Sequence, residues 1–390
     1  MDSIDKVLMR GTAEVLPDRK TLAQLMKKKK IRVYLGIDPT GSLLTLGHSV
    51  PLRKLQQFAD LGHEVILLIG NGTVRIGDPT GRDTTRPVLT DKQIKENFKN
   101  WKKQASKILD FKKIKIRYNG DWLDKLSFSD LIKLMAKTTV QQLMERDMFQ
   151  ERVKKGKPIH GHEILYPLLQ GYDSVAMDVD LEIGGNDQTF NMLMGRTLQR
   201  NYNDREKWVL TTPLINGTDG RKMSQSYGNF IALTEEPNEM FGKLMSMNDG
   251  EMLSYFETLT DEDLDEMKKL IKKSPRDAKV HLAKTIVTFY YDTKTADKAY
   301  DDFVTKFVKK EEPDEIPEFK VGKKEIGILD LISQVTKFSP SNSDARRLIQ
   351  GGGVTLDGKK VSDPNLVVKI DKEKILKVGK RKFAKIIGGK

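Results

Sequence analysis

Tyr34-Leu35-Gly36-Ile37-Asp38-Pro39-Thr40-Gly41-Ser42, followed by Thr45-Leu46-Gly47-His48, reads as a buried strand that ends in a turn just before a helix N-terminus. Such a junction presents unpaired N–H groups and the positive end of a helix dipole, which is how doubly wound α/β folds hold nucleotide phosphates. Outward from it, residues 31 to 230 alternate short β-branched runs with longer helical stretches, the pattern of a parallel sheet with crossover helices. Tyr34 to Asp38 and Glu64 to Gly70 are its first two strands, with a helix from Gly47 to Leu61 between them. From Glu235 to Lys310 the pattern becomes helical, over Asp261 to Lys273, Arg276 to Tyr291 and Thr295 to Lys309. Residues 309 to 324 are charged, contain Pro313 and Pro317 and lack apolar periodicity, as a linker does.

The chain has 390 residues and a net charge of +13, with 38% hydrophobic and 32% charged residues, so it holds enough apolar material for a sizeable core. It has no cysteine, which excludes disulfide frameworks, thiolate metal sites and cysteine nucleophiles. Its longest apolar runs, such as Val65 to Ile69, are far too short to span a bilayer, and Met1 to Arg10 does not resemble a secretory signal. Residues 326–390 carry 14 Lys and Arg against 6 Asp and Glu, so most of the positive excess sits in the last 65 residues. A polyanion is the partner such a tail implies.

Three further segments carry candidate chemistry. Gly220-Arg221-Lys222-Met223-Ser224-Gln225-Ser226 is a short polar loop whose cation can meet charge developing on a triphosphate. Tyr166, Gln170 and Asp173 recur at helical spacing, so a helix beginning at Pro167 puts them along one face. Ile183-Gly184-Gly185-Asn186-Asp187-Gln188 joins two glycines, which permit close ligand approach, to polar side chains. Asp78 follows the second strand, at the carboxyl end where such sheets bind ligands. His160 and His162 lack further ligands at metal-binding spacing and read as structural. The methionines at 135, 144, 148, 192 and 194 read as core filler.

Thr45-Leu46-Gly47-His48 and Lys222-Met223-Ser224-Gln225-Ser226 resemble the HIGH and KMSKS signatures of class I aminoacyl-tRNA synthetases, in the right order and at the right distance. Together with Gly77-Asp78-Pro79-Thr80-Gly81, the Tyr166, Gln170 and Asp173 triplet and Gly184-Gly185-Asn186-Asp187-Gln188, they make the chain similar to the bacterial tyrosyl-tRNA synthetases over nearly its whole length. Ser343 to Val361 is similar to the small alpha-L type RNA-binding domain. The resemblance implies an α/β architecture. A Rossmann-like, doubly wound parallel sheet would occupy 1–233, with a dimerisation insertion packed through helices between about Ser127 and Glu163. An α-helical anticodon-side domain (234–310), a linker (311–325) and a small basic α+β RNA-binding domain (326–390) would follow.

The same resemblance implies that Tyr34 and Asp173 meet the phenol of substrate tyrosine, that Asp78, Tyr166 and Gln170 hold its ammonium group, and that Gln188 steers its carboxylate. Thr73 belongs to this tyrosine-binding set. Asp187 and Gly185 would take the ATP ribose, and Gly47 and His48 its adenosine side. Gly36, Asp38, Lys222, Ser224 and Gln225 complete the ATP-binding set, with Thr40, His48 and Lys222 as the catalytic group. Arg346, Arg347, Lys359 and Lys360 would contact tRNA. ATP enters as a substrate with Mg2+ and no metal is held by protein ligands. The implied partners are L-tyrosine, ATP, tRNA(Tyr) and a second copy of the chain, in the cytoplasm. Two positions depart from the signatures, Thr45 for a His and Gln225 for a Lys, which leaves one imidazole and one cation fewer near the phosphates. A tryptophanyl relative, a catalytically silent RNA-binding protein and a general nucleotidyltransferase are the rival readings; the last shares the phosphate loops but does not explain the tyrosine-selective face, and tyrosine-dependent pyrophosphate exchange separates the enzyme from the silent binder.

Overall fold

The computed structural model describes residues 2–80, 89–224, 227–308, 316–379 and 382–388. They fall into two units, residues 1–303 and 304–390.

In the first unit six strands, β1 (Glu14–Leu16), β2 (Arg32–Ile37), β3 (Glu64–Ile69), β4 (Ile114–Tyr118), β5 (Leu181–Gly185) and β6 (Trp208–Thr212), form one sheet in the order β1-β6-β5-β2-β3-β4. All neighbours are parallel except β1, which runs antiparallel to β6. Parallel strands covered on both faces read as continuous apolar runs, and β3 is buried from Val65 to Ile69. β1 did not stand out in the sequence, because three half-exposed residues carry no periodicity.

Helix α1 (Leu46–Asp60) follows β2 as the sequence predicts. Helix α2 (Gly161–Met177) begins six residues before the expected start at Pro167, which lies inside it. The earlier start is fixed by Glu163, whose carboxylate accepts the His160 backbone N–H at 2.8 Å and the buried Arg152 guanidinium at 2.8 Å. Pro167 therefore costs the helix one backbone bond without moving its origin. The triplet Tyr166, Gln170 and Asp173 still shares one face. α2 packs on α3 (Thr189–Asn203) where Gly171 meets Gly195: a Cβ at Gly171 would lie 3.0 Å from the Gly195 nitrogen and 2.9 Å from Leu198 Cδ1.

The helices at Leu264–Lys273, Pro275–Tyr290 and Thr293–Phe303 match the predicted three, the last running on as a π-helical turn over Val304–Val308; its expected end at Lys309 lies outside the described residues. They share one apolar core with the sheet, in which Phe256, Leu282 and Ile286 are clustered with Leu46 and Leu55. Of the methionines read as core filler, Met192 is buried, but Met135 is 50% exposed. It lies on the amphipathic helix Phe128–Met135 beside the equally exposed Ile132, so its helical face turns outward.

The second unit holds β7 (Glu318–Val321), β8 (Glu325–Gly327), α4 (Asn342–Gln350), β9 (Val354–Leu356), β10 (Lys359–Lys360), β11 (Val367–Lys369), β12 (Lys374–Val378) and β13 (Lys382–Gly388). Five of these strands form a sheet in the order β10-β9-β12-β13-β7, and β8 pairs with β11. Ile349, Val354, Leu376 and Ile386 lie in its core. The linker expected over 311–325 is thus partly strand: β7 alternates charged and apolar residues and pairs with β13. Of that linker, residues 311–315 lie outside the described residues. Replacing Gly171 by Ala should force α2 and α3 apart and destabilise the first unit by about 1–3 kcal/mol, read as a lower urea midpoint; an unchanged midpoint would refute the close packing.

Candidate active site

A cleft of about 340 Å³ opens where β2, β3, β5 and β6 end. Ligand sites in open parallel sheets form there because the loops leaving neighbouring strands diverge to opposite faces. At its inner end Asp173, only 2% exposed, accepts Asn119 Nδ2–H at 3.1 Å and Trp122 Nε1–H at 2.8 Å. Burial holds its carboxyl well above the usual carboxylate range, against the pull of those two donors, and the neighbouring Glu182 and Asp38 add to the rise. Asn119 also donates to Thr73 Oγ1 at 2.9 Å, and Thr73 donates to Asp38 Oδ1 at 2.8 Å. Tyr166 donates to the other Asp38 oxygen at 2.9 Å, and burial raises this phenol well above its ordinary pKa. Gln188 Nε2 donates to Asp78 Oδ2 at 2.7 Å, while Gln170 Nε2 donates to Glu182 Oε1 at 3.1 Å.

The outer end is built differently. Thr45 caps α1, and His48, three residues on, returns a bond: its Nδ1 accepts the Thr45 backbone N–H at 3.1 Å. A backbone amide only donates, so the neutral ring carries its proton on Nε2. Burial, with Trp101 alongside at 5.9 Å, lowers the His48 pKa to about 4, so the ring is neutral near pH 7. Across the cleft Lys222 Nζ pairs with Asp187 Oδ2 at 3.1 Å. Gly36, Asp38, Thr40, Gly47, His48, Gly185, Asp187 and Lys222 of the expected nucleotide set line this same cleft.

The tyrosine set lines it too, through Thr73, Asp78, Tyr166, Gln170, Asp173 and Gln188, but Tyr34 does not. Tyr34 is fully buried behind the wall, and its hydroxyl bonds Ser174 Oγ at 2.9 Å. Ser224 also stands outside the lining, its N–H given to Asn229 at 2.9 Å. Gln225 lies outside the described residues. Among the described residues no group of three or more His, Asp and Glu could hold a metal ion. Arg346, Arg347, Lys359 and Lys360 are all exposed on the second unit.

Residues 26–308 match the family model described as tRNA synthetases class I (W and Y), and residues 308–386 match the tyrosine–tRNA ligase SYY-like C-terminal domain. The chain is 46% identical to the tyrosine–tRNA ligase of Thermotoga maritima, covering 98% of this chain and 97% of the relative. It is 47% identical to that of Carboxydothermus hydrogenoformans, with the same coverage. The chain belongs to the tyrosine–tRNA ligase family. Solved members share the fold at greater distance. A C-terminally truncated mitochondrial tyrosyl-tRNA synthetase of Aspergillus nidulans superposes with a TM-score of 0.66 at 22% identity, covering 78% of this chain and 94% of that one. The tyrosyl-tRNA synthetase of Archaeoglobus fulgidus, complexed with L-tyrosine, gives 0.63 at 24% identity, covering 77% and 99%.

Within this tyrosine–tRNA ligase framework, sequence reading missed Asn119 and Glu182, which line the cleft, and Trp122, Ser174 and Lys207 behind them. Asn119 had a usable signal, since it follows β4 at the carboxyl end of a strand. Glu182 had another, an acid inside the apolar run of β5. For His48, lowering the folded pKa from 6.5 to about 4 means that the unfolded chain takes up a proton first as pH falls. The stability lost between those two values is up to roughly 3 kcal/mol. An NMR titration should show the His48 ring moving near pH 4 from the Nε2–H tautomer; a midpoint near 6.5 would refute this account.

Proposed function

We propose that the cleft activates L-tyrosine with ATP and passes the tyrosyl group to the 3' end of tRNA(Tyr). The observation that carries this reading is the convergence of Asp38, Asp78 and Asp173 with Tyr166 and Gln170 at one end of a cleft whose other end offers Lys222, His48 and a helix N-terminus. The acidic end suits an ammonium group and a phenol; the other suits a nucleotide. Asp173 takes the substrate phenol as a hydrogen-bond acceptor, and a phenylalanine ring would leave that buried acid one partner short. Asp78, Tyr166 and Gln170 hold the ammonium group, with Thr73 behind them, and Gln188 turns the carboxylate outward. Gly185 and Asp187 face the ribose, Gly47 and His48 the adenosine, and Gly36 and Asp38 complete the ATP-binding set where the two ends meet. ATP arrives with Mg2+ as its counterion.

The carboxylate oxygen then forms a bond to the α-phosphorus as the bond to pyrophosphate breaks. The nucleophile is already an anion, so alignment and charge stabilisation suffice, supplied by Thr40, the α1 N-terminus and Lys222. In the second step a tRNA ribose hydroxyl attacks the tyrosyl carbonyl and AMP leaves. We assign tRNA contact to Arg346, Arg347, Lys359 and Lys360 and to the helical stretch 234–310. Dimerisation goes to the segment between Ser127 and Glu163, where Phe128 is 79% exposed, with Ile132, Met135 and Val140 also exposed beside it. No helix among the described residues is long and apolar enough to cross a membrane, and a cytoplasmic place fits this reading.

Exchange of labelled pyrophosphate into ATP tests the activity: it should require tyrosine and fail with phenylalanine or tryptophan. Lys222→Ala should slow adenylate formation about 10²–10³-fold while leaving tyrosine affinity nearly unchanged; equal loss in both would refute its role at the phosphates. Deleting residues 326–390 should abolish tRNA charging and spare pyrophosphate exchange, and the charging of the full chain should weaken steeply with salt. Charging that survives the deletion would make the basic unit a solubilising surface.

A further inference from the structure

Behind the tyrosine end of the cleft lies a lysine that the reaction above does not use. Lys207 directly precedes β6 and is 0% exposed. Its ammonium has three N–H groups and three acceptors: the Glu182 carboxylate oxygen Oε2, Ser174 Oγ at 2.8 Å and the Met192 carbonyl at 3.0 Å. A Cβ on Gly195 would come within 2.5 Å of Nζ and 2.7 Å of Ser174 Oγ, so the bare glycine of α3 makes the space for this contact. Of the two side chains it grips, Glu182 lines the cleft itself and Ser174 leads to the buried Tyr34. Glu182 Oε1 accepts Gln170 Nε2–H at 3.1 Å, and Ser174 Oγ meets the Tyr34 hydroxyl at 2.9 Å.

The chemistry of the acceptor decides which way Gln170 faces. An ionised carboxylate only accepts, so Glu182 takes the NH2 end of the amide and leaves the carbonyl oxygen for the cleft that Gln170 lines. A carbonyl oxygen attracts a substrate ammonium group, and an amide NH2 repels it. A protonated Glu182 could donate as well as accept and would let the amide turn over. Glu182 is buried close to a second acid, Asp173, whose carboxyl its charge helps to raise. Lys207 is the cation in contact with it.

We propose that Lys207 is a positioning residue for tyrosine: by keeping Glu182 an acceptor it fixes the Gln170 amide with its carbonyl toward the substrate ammonium, and through Ser174 it fixes the Tyr34 hydroxyl. The inference rests on the tyrosine-activating reading, in which Gln170 meets the ammonium group. It adds a residue that touches no substrate and still sets its affinity.

The test is steady-state pyrophosphate exchange by the full-length chain and the variants Lys207→Met, Glu182→Gln and their double, from pH 6 to 9, with thermal melting as the folding control. Lys207→Met should raise the KM for tyrosine about tenfold or more and leave the KM for ATP unchanged. Its kcat/KM for tyrosine should fall toward low pH along a new ionisation that the parent lacks. Both the double variant and Glu182→Gln should show weakened tyrosine use without that ionisation. An unchanged tyrosine KM in Lys207→Met, an equal rise for ATP, or the same ionisation in the double variant would overturn the proposal. Should Lys207→Met not fold, Glu182→Gln and the double variant decide, and a parental tyrosine KM in either overturns it. A parent chain that exchanges pyrophosphate with no amino acid overturns the underlying reading itself, an outcome distinct from active variants that match an active parent.

Discussion

A carboxylate taken out of water must be met by donors held in place, and Asp173 imposes that requirement on the whole inner end of the cleft. Its two donors come from residues just after β4, so the edge of the parallel sheet is tied to the helix that carries the acid. The chain of bonds continues from Asn119 through Thr73 to Asp38 at the end of β2, and from Asp38 to Tyr166 back on α2. Four elements distant in sequence are thereby fixed by one sequence of hydrogen bonds. The fold brings them together because parallel strands all end on the same side.

What could be read from the sequence follows from the range of the forces involved. β2, β3 and α1 were legible because an apolar run, a turn and an amphipathic helix are local signals. The cleft residues were legible as motifs, and nearly all of them line one cavity. The origin of α2 was misread because Pro167 is a local signal, whereas the pairing of Glu163 with Arg152 that sets the true start is not. Lys207 and Glu182 escaped for the same reason. They are 25 residues apart, and neither shows in sequence that the other neutralises it. Ser174, next to the motif acid, meets the Tyr34 hydroxyl, a contact that no local pattern announces.

The departure at Thr45 has a structural sense. With Thr45 as the cap and His48 closing the reciprocal bond, the first turn of α1 is completed by the two polar side chains of the motif. The imidazole is then a fixed neutral donor at Nε2, a group whose direction is set by the helix end rather than by its own rotamer. Local backbone architecture and the nucleotide end of the cleft are one construction.

The pairing of Lys222 with Asp187 draws a different line through the site. The cation proposed for the phosphates rests on the acid proposed for the ribose, both partly in contact with solvent. On the proposed roles a nucleotide entering the cleft would trade this ion pair for new ones, so the number of charge contacts would change less than a count of phosphates suggests. Ionic strength then weakens the internal pair and the incoming ligand's contacts together, and the two effects oppose each other in the observed affinity. The loop is insulated against the salt content of its surroundings in a way that the strongly basic second unit, with its exposed arginines and lysines, is not.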